Sequence, residues 1–229
     1  MRTSVLVALA CTIACPAKAD WNTSVTLASE YLFKGYPMSN GRPALQADVS
    51  WQQNQWFGGV WGSNTDFFNQ SADSHVSVEM DLYFGRSWPV STAGQCSSSL
   101  WRYQYYGGSG ASQVDYAEIQ LSCSRNSSQI LVAWSPAYGA TDNQHSILTW
   151  RQQLGQVGPL NTAFELSSLH NLDDQQFYQR AQADNYQYLA FTASYQVQDV
   201  IWRLTLGTEN DSAAMGKHIQ LSLDFSLSL

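Results

Sequence analysis

Strict alternation of apolar and polar residues is the strongest pattern along this chain. Near its end Ile219, Leu221, Leu223, Phe225, Leu227 and Leu229 alternate with Gln220, Ser222, Asp224, Ser226 and Ser228. Val76, Val78, Met80, Leu82 and Phe84 alternate in the same way with Ser77, Glu79, Asp81 and Tyr83. A period of two puts one set on each face of a β-strand. A strand in a soluble sheet is usually about 5 to 6 residues long, whereas a tilted strand needs about 9 to 11 to cross a bilayer. Both runs have the longer length.

Weaker versions recur from end to end and predict twelve strands: Ser24–Phe33, Pro43–Trp51, Trp56–Ser63, His75–Ser87, Cys96–Tyr106, Val114–Cys123, Gln129–Tyr138, His145–Gln153, Leu160–Leu169, Tyr186–Tyr195, Val200–Gly207 and His218–Leu229. An even number suits an antiparallel barrel with both termini on one side. The connections alternate in length. One set runs Lys34–Arg42, Asn64–Ser74, Gly107–Gln113, Gly139–Gln144, His170–Asn185 and Thr208–Lys217. It is longer on the whole than the intervening set, as extracellular loops are compared with periplasmic turns. Stripes of helical period are absent, and no window of 18 residues is apolar enough for a transmembrane helix. The expected class is all-β, an antiparallel transmembrane β-barrel of about twelve strands.

The first residues supply an address. Arg2, the apolar run Val5–Ala14 and Ala17-Lys18-Ala19 have the order of a secretory signal peptide with a small-x-small cleavage site. The expected organisation is a leader over residues 1–19 and a barrel over 20–229. Without Arg2 and Lys18 the formal charge moves from −7 to −9, with nine basic against 18 acidic residues. Such a balance excludes a nucleic-acid partner, which needs clustered Lys and Arg. Cleavage also leaves only Cys96 and Cys123. If the strands carrying them form a hairpin whose paired numbers sum to 219, the two face each other within disulfide reach. In a register shifted by a residue or two they stay as unpaired thiols.

Aromatic residues fall near strand ends, where interfacial girdles belong: Tyr31, Phe33, Trp51, Trp56, Phe84, Trp88, Tyr138, Trp150 and Tyr195. Several short stretches are also similar to one family. Phe33-Lys34-Gly35, followed by Ser39-Asn40-Gly41-Arg42-Pro43-Ala44-Leu45-Gln46, resembles the opening of the TorF-type porins of proteobacteria. Gly59-Val60-Trp61-Gly62-Ser63-Asn64, Glu79-Met80-Asp81-Leu82-Tyr83-Phe84-Gly85 and Ser135-Pro136-Ala137-Tyr138 look like later blocks of that family. The resemblance spans about Tyr31 to Tyr138 and implies an outer-membrane porin. The chain departs from the usual outer-membrane pattern in ending on Leu229, with Phe225 four residues earlier, where the barrel-assembly machinery reads a terminal aromatic residue.

If the apolar faces meet outer-membrane lipid, the polar faces line a lumen. Glu30, Asp48, Glu79, Asp81, Arg151, Arg203 and Asp224 are then the channel-lining candidates, and their acidic excess favours passage of cations over anions. The same residues could instead pair across strands and plug a narrow barrel, Arg203 with Asp224 first. The facing of 96–123 is ambiguous, which leaves Arg102 and Glu118 unassigned. Two other readings compete with the passage of small polar solutes or ions. One is a barrel enzyme acting on lipid through His75 and Ser77, two apart on a strand. The other is a soluble periplasmic β-barrel that binds a ligand. There is no phosphate loop, Cys-x-x-Cys pair or nucleophile elbow, so no catalytic residues, cofactor or metal are expected. The oligomeric state is left open.

Overall fold

The structure, a computed structural model, describes residues 20–68, 75–140, 143–173, 185–210 and 217–228. The expected leader and Leu229 lie outside the described residues. In chain order the strands are β1 (Asp20–Ala28), β2 (Leu32–Phe33), β3 (Tyr36–Pro37), β4 (Ala44–Gln53), β5 (Trp56–Phe68), β6 (His75–Ser91), β7 (Gly94–Gly107), β8 (Tyr116–Arg125), β9 (Ser128–Ser135), β10 (His145–Val157), β11 (Leu160–Asn171), β12 (Asn185–Val197), β13 (Val200–Glu209) and β14 (Lys217–Ser228). All but β2 and β3 form one closed antiparallel barrel, in which β1 pairs with both β4 and β14. Closure gives every strand two partners. That is the condition for a sheet to sit in hydrocarbon, where an unpaired backbone N–H or C=O costs several kcal/mol.

At one end the strands are joined by two-residue turns, with Asn54, Asn126, Gln198 and Gly158 at φ 56°, 53°, 53° and 60°. Asn tolerates the left-handed region better than other residues with a Cβ, and glycine occupies it freely, which is why Asn54, Asn126 and Gly158 stand at their turns. The long connections are all at the other end.

The alternation read from the sequence sets the two faces of the wall. Along β13, Trp202, Leu204 and Leu206 are exposed while Arg203 and Thr205 turn inward. The same outward row continues through Leu100, 58% exposed, and Ile219, 69% exposed. A soluble monomer seldom exposes a contiguous apolar patch beyond a few hundred Å². Here large apolar side chains are exposed on every barrel strand, so the band encircles the molecule. Toward the short-turn end it carries rings: Trp56 stacks on Phe84 with centroids 5.3 Å apart, and Trp150 meets Phe164 edge-on at 4.9 Å.

Inside, the half of the barrel nearer the long connections is filled. One cluster gathers Tyr31, Met38, Val76, Tyr103, Tyr105 and Tyr116, and a second gathers Ile147, Leu169, Tyr186 and Tyr188. Three expectations change here. The first predicted strand, Ser24–Phe33, ends at Ala28, because the chain turns into the barrel and residues 32–33 pair with 36–37 instead. Tyr31 and Phe33 therefore pack in the interior, and so does Tyr138, because β9 ends at Ser135 short of the predicted Tyr138; none of the three is a girdle residue. Val76 was expected on the lipid face with Val78. A register shift between them, opposite β7, reverses its facing, and it is fully buried in the first cluster.

Candidate functional site

The lumen is shaped first by the connection between β1 and β4. It is held at its base by local hydrogen bonds: Met38 N–H to the Tyr31 carbonyl at 2.9 Å, Tyr31 N–H to Ser39 Oγ at 2.8 Å, and Ser39 Oγ–H to the Arg42 carbonyl at 2.6 Å. From that base the β2–β3 hairpin crosses to the far wall. Its two-residue turn is Lys34-Gly35, with φ 51° and 87°, the geometry of a type I′ turn. The Lys34 ammonium pairs with Glu165 on the inner face of β11. Gly35 lies against the Tyr188 ring and Glu209 on β12 and β13. Glu165 also accepts from Arg151 Nε at 2.5 Å and from Ser167 Oγ at 3.0 Å, so two cations share one half-buried carboxylate.

The wall formed by β6, β7 and β8 has a different character. Glu79 and Asp81 follow each other on the inner face of β6, and Glu118 stands on β8 opposite Trp101. Tyr105 donates to Glu79 at 2.9 Å, and Glu118 accepts from Tyr103 at 3.2 Å and Gln120 Nε2 at 2.6 Å. Around them the rings form a nearly continuous run: Tyr83 stacks on Trp101 at 4.4 Å, Trp101 on Tyr103 at 6.1 Å and Tyr103 on Tyr116 at 4.3 Å. Tyr116 then meets Tyr138 at 4.5 Å.

A third group lies across the closure of the barrel. Arg203 Nη1 is 3.0 Å from Asp224 Oδ2, and Thr26 Oγ1 donates to the other oxygen of Asp224 at 2.7 Å. Nearby on β4, Asp48 accepts from Tyr83 Oη at 2.8 Å.

Asp48, Glu79, Asp81, Arg151, Arg203 and Asp224 thus stand on inward-facing positions of barrel strands. Glu30 does not. It lies off the strands, between β1 and β2, where its carboxylate accepts from the Gly41 N–H at 2.8 Å and ties the base of the hairpin connection. Of the residues left unassigned, Glu118 faces inward, while Arg102 faces outward and reaches Asp115 at 3.5 Å. Sequence reasoning missed Lys34 and Glu165. The signal for Glu165 was present, a lone acid between the apolar Phe164 and Leu166. For Lys34 it was the Phe33-Lys34-Gly35 motif, read as the edge of a loop.

Cys96 and Cys123 are directly paired in register and joined by a disulfide, on the outward face toward the short-turn end. His75 and Ser77 do not meet. The register shift at Val76 parts them; His75 Nε2 is 2.7 Å from Asp66 Oδ1, and the Ser77 hydroxyl donates to the Tyr106 carbonyl at 3.3 Å. Among the described residues no group of three His, Cys, Asp or Glu side chains is arranged to hold a metal ion.

Comparison with known proteins agrees with this architecture. A family described as "Bacterial protein of unknown function (Gcw_chp)" matches residues 14–206. No curated protein matches the sequence. Among solved structures, the NanC porin superposes with a TM-score of 0.57 at 7% identity, over 93% of this chain and 100% of that one. The KdgM porin superposes with a TM-score of 0.52 at 7% identity, over 92% of this chain and 99% of that one. At such identities the likeness is one of fold, that of small porins.

Proposed function

Since the chain belongs to the Gcw_chp family, whose description names no activity, we propose from the barrel itself that it is an outer-membrane channel for small polar solutes and ions, favouring cations. The observation that carries this reading is the opposite chemistry of the two faces of one closed wall. Outside is an apolar band that includes every barrel strand, with aromatic rings toward its short-turn end. Inside are Asp48, Glu79, Asp81, Glu118, Glu165 and Asp224, against Lys34, Arg151 and Arg203. Rows of charge along a β-pore select ions by sign and orient dipolar solutes. The excess here is acidic, which raises the local concentration of cations. The β2–β3 hairpin narrows the path, so the accepted solutes are small. The porin fold and the resemblance of the opening motifs to TorF-type porins support the same reading. In this setting outer-membrane lipid surrounds the band and the barrel-assembly machinery inserts the chain. No observation favours the lipid-hydrolase alternative, because His75 is directed to Asp66 and not to Ser77.

The test is single-channel recording of the folded protein in a planar bilayer, with the reversal potential measured across a salt gradient. Discrete steps with a cation-selective reversal potential are expected. Anion selectivity would remove the cation preference. A preparation shown to be folded that passes no current would overturn the channel.

A further inference from the structure

Two arginines stand on the outer face of β6 and β7, among the apolar rows that meet lipid. Arg86 lies toward the short-turn end, where its guanidinium donates to Gln55 Oε1 at 3.1 and 2.7 Å and rests 5.5 Å from the centre of the Trp56 ring. Arg102 has no such cover. Its side chain is 49% exposed, and among the described residues its one charged partner is Asp115, at 3.5 Å. Asp115 is itself engaged, since its other oxygen accepts the Tyr105 N–H at 2.8 Å. A guanidinium carries five N–H donors, so most of those on Arg102 are left to the surroundings. Ala117, directly across from Arg102, is the second residue of β8, and the next outward residues of β7 are Gln104 and Tyr106. Polar and aromatic outward residues beside the long connections mark the edge of the apolar band, where a charge is tolerated as it is not at the midplane.

Arg102 also closes one end of a groove of about 470 Å³ in the outer wall of β4 to β7. Val49, Val60, Leu82 and Arg102 follow one another in register across these four strands. In the row toward the short-turn end, Trp51 and Phe84 stand on either side of Gly58, which adds no side chain between them. The lining is thus hydrocarbon and ring, with a cation at one end, and its volume is within the range of about 300 to 1,000 Å³ usual for small-ligand sites.

We propose that this groove and Arg102 form a docking site for an anionic phospholipid of the leaflet at the long-connection end, an acyl chain lying along Val60 and Leu82 and the phosphate on the Arg102 guanidinium. The site goes beyond the channel reading and rests on it only for the bilayer around the barrel. The planar fork of arginine donates two parallel N–H bonds to a phosphate, and the attraction is stronger where lipid replaces water. A free phosphate leaves the groove unused, and a zwitterionic lipid brings a cation of its own. Asp115 competes for the same guanidinium.

The experiment is native mass spectrometry of the folded full chain, released from detergent after titration with dimyristoylphosphatidylglycerol or dimyristoylphosphatidylcholine. Phosphatidylglycerol is expected to be held with an affinity about tenfold above that of phosphatidylcholine. Arg102→Gln, and Val60→Trp, which fills the groove, are each expected to weaken it about tenfold in barrels shown to be folded by heat-modifiable gel mobility. Arg86→Gln should leave the affinity unchanged. Asp115→Asn, which keeps an acceptor for the Tyr105 N–H, should raise it. Equal retention of the two lipids overturns the site, as does an unchanged affinity in Arg102→Gln. An equal loss in Arg86→Gln would reduce the effect to general surface charge and overturn it too, and displacement by inorganic phosphate would refute a lipid as the occupant. Selective retention of phosphatidylglycerol by a folded barrel that passes no current keeps the site and refutes the channel. Current from a barrel with no lipid preference keeps the channel and refutes the site.

Discussion

Gly35 is the position where a single atom has the largest consequence for the lumen. At φ +87° the residue is in the left-handed region, and a Cβ there would sit 2.9 Å from Tyr188 Cδ2 and 3.2 Å from Glu209 Oε2. Strain and collision act together, at about 1 to 3 kcal/mol for the backbone alone. Gly35→Ala is therefore expected to push the hairpin tip off the far wall and separate Lys34 from Glu165. Single-channel recording checks this: the variant should show larger steps than the wild-type chain, and steps of wild-type size would mean that the tip does not narrow the path. The pairing of Lys34 with Glu165 could not be read in the sequence, because the two are 131 positions apart and the topology alone brings them together. The acids of the strands were legible in part. Period two fixes the face of Glu79 and Asp81 once Val78 and Met80 are known to be outside, but it cannot tell that Tyr105 and Tyr103 will bury them.

Each strand element was legible to the extent that its two faces differ. β14, and β6 from Val78 to Trp88, alternate cleanly and appear close to where the pattern placed them. The first strand failed because Tyr31 and Phe33 continue the apolar spacing while the backbone has already left the sheet at Ala28. Apolar rings facing lipid and apolar rings facing a packed interior look alike in one dimension. β7 and β8 were ambiguous for a related reason: Trp101, Tyr103 and Tyr105 point inward, so both faces carry large side chains. Their hairpin register was nonetheless set by the cysteines, which are paired as a sum of 219 requires. The disulfide closes a separation of 27 residues, for which chain entropy gives a stabilisation of up to about 3 to 4 kcal/mol. Cys96→Ser with Cys123→Ser is expected to lower the urea midpoint by a fraction of that, since strand pairing already limits the hairpin, while leaving heat-modifiable mobility intact. An unchanged midpoint would show that the bond adds nothing to the folded barrel.

For the molecule as a whole the deciding question is which solvent meets the outer face. A water-soluble barrel would have to carry its encircling apolar row at a cost, whereas in hydrocarbon the same row is matched and polar substitutions there become the costly ones. Adjacent residues on β13 separate the two cases, because Leu204 is exposed outward and Thr205 faces the lumen, where it pairs with Thr192 at 3.1 Å. Leu204 lies midway along its strand, between Ala193 and Leu221. In a bilayer, Leu204→Arg is expected to cost about 2 to 4 kcal/mol of folding free energy, the penalty for arginine near the membrane midplane. Thr205→Arg stays inside a polar lumen that already holds Arg203, and should cost less while shifting the reversal potential toward anions. Folding titrations into lipid vesicles measure the first difference and bilayer recordings the second. A water-facing wall predicts the reverse order of stabilities, since an arginine replacing exposed Leu204 would then be nearly neutral and one forced beside Thr192 would not.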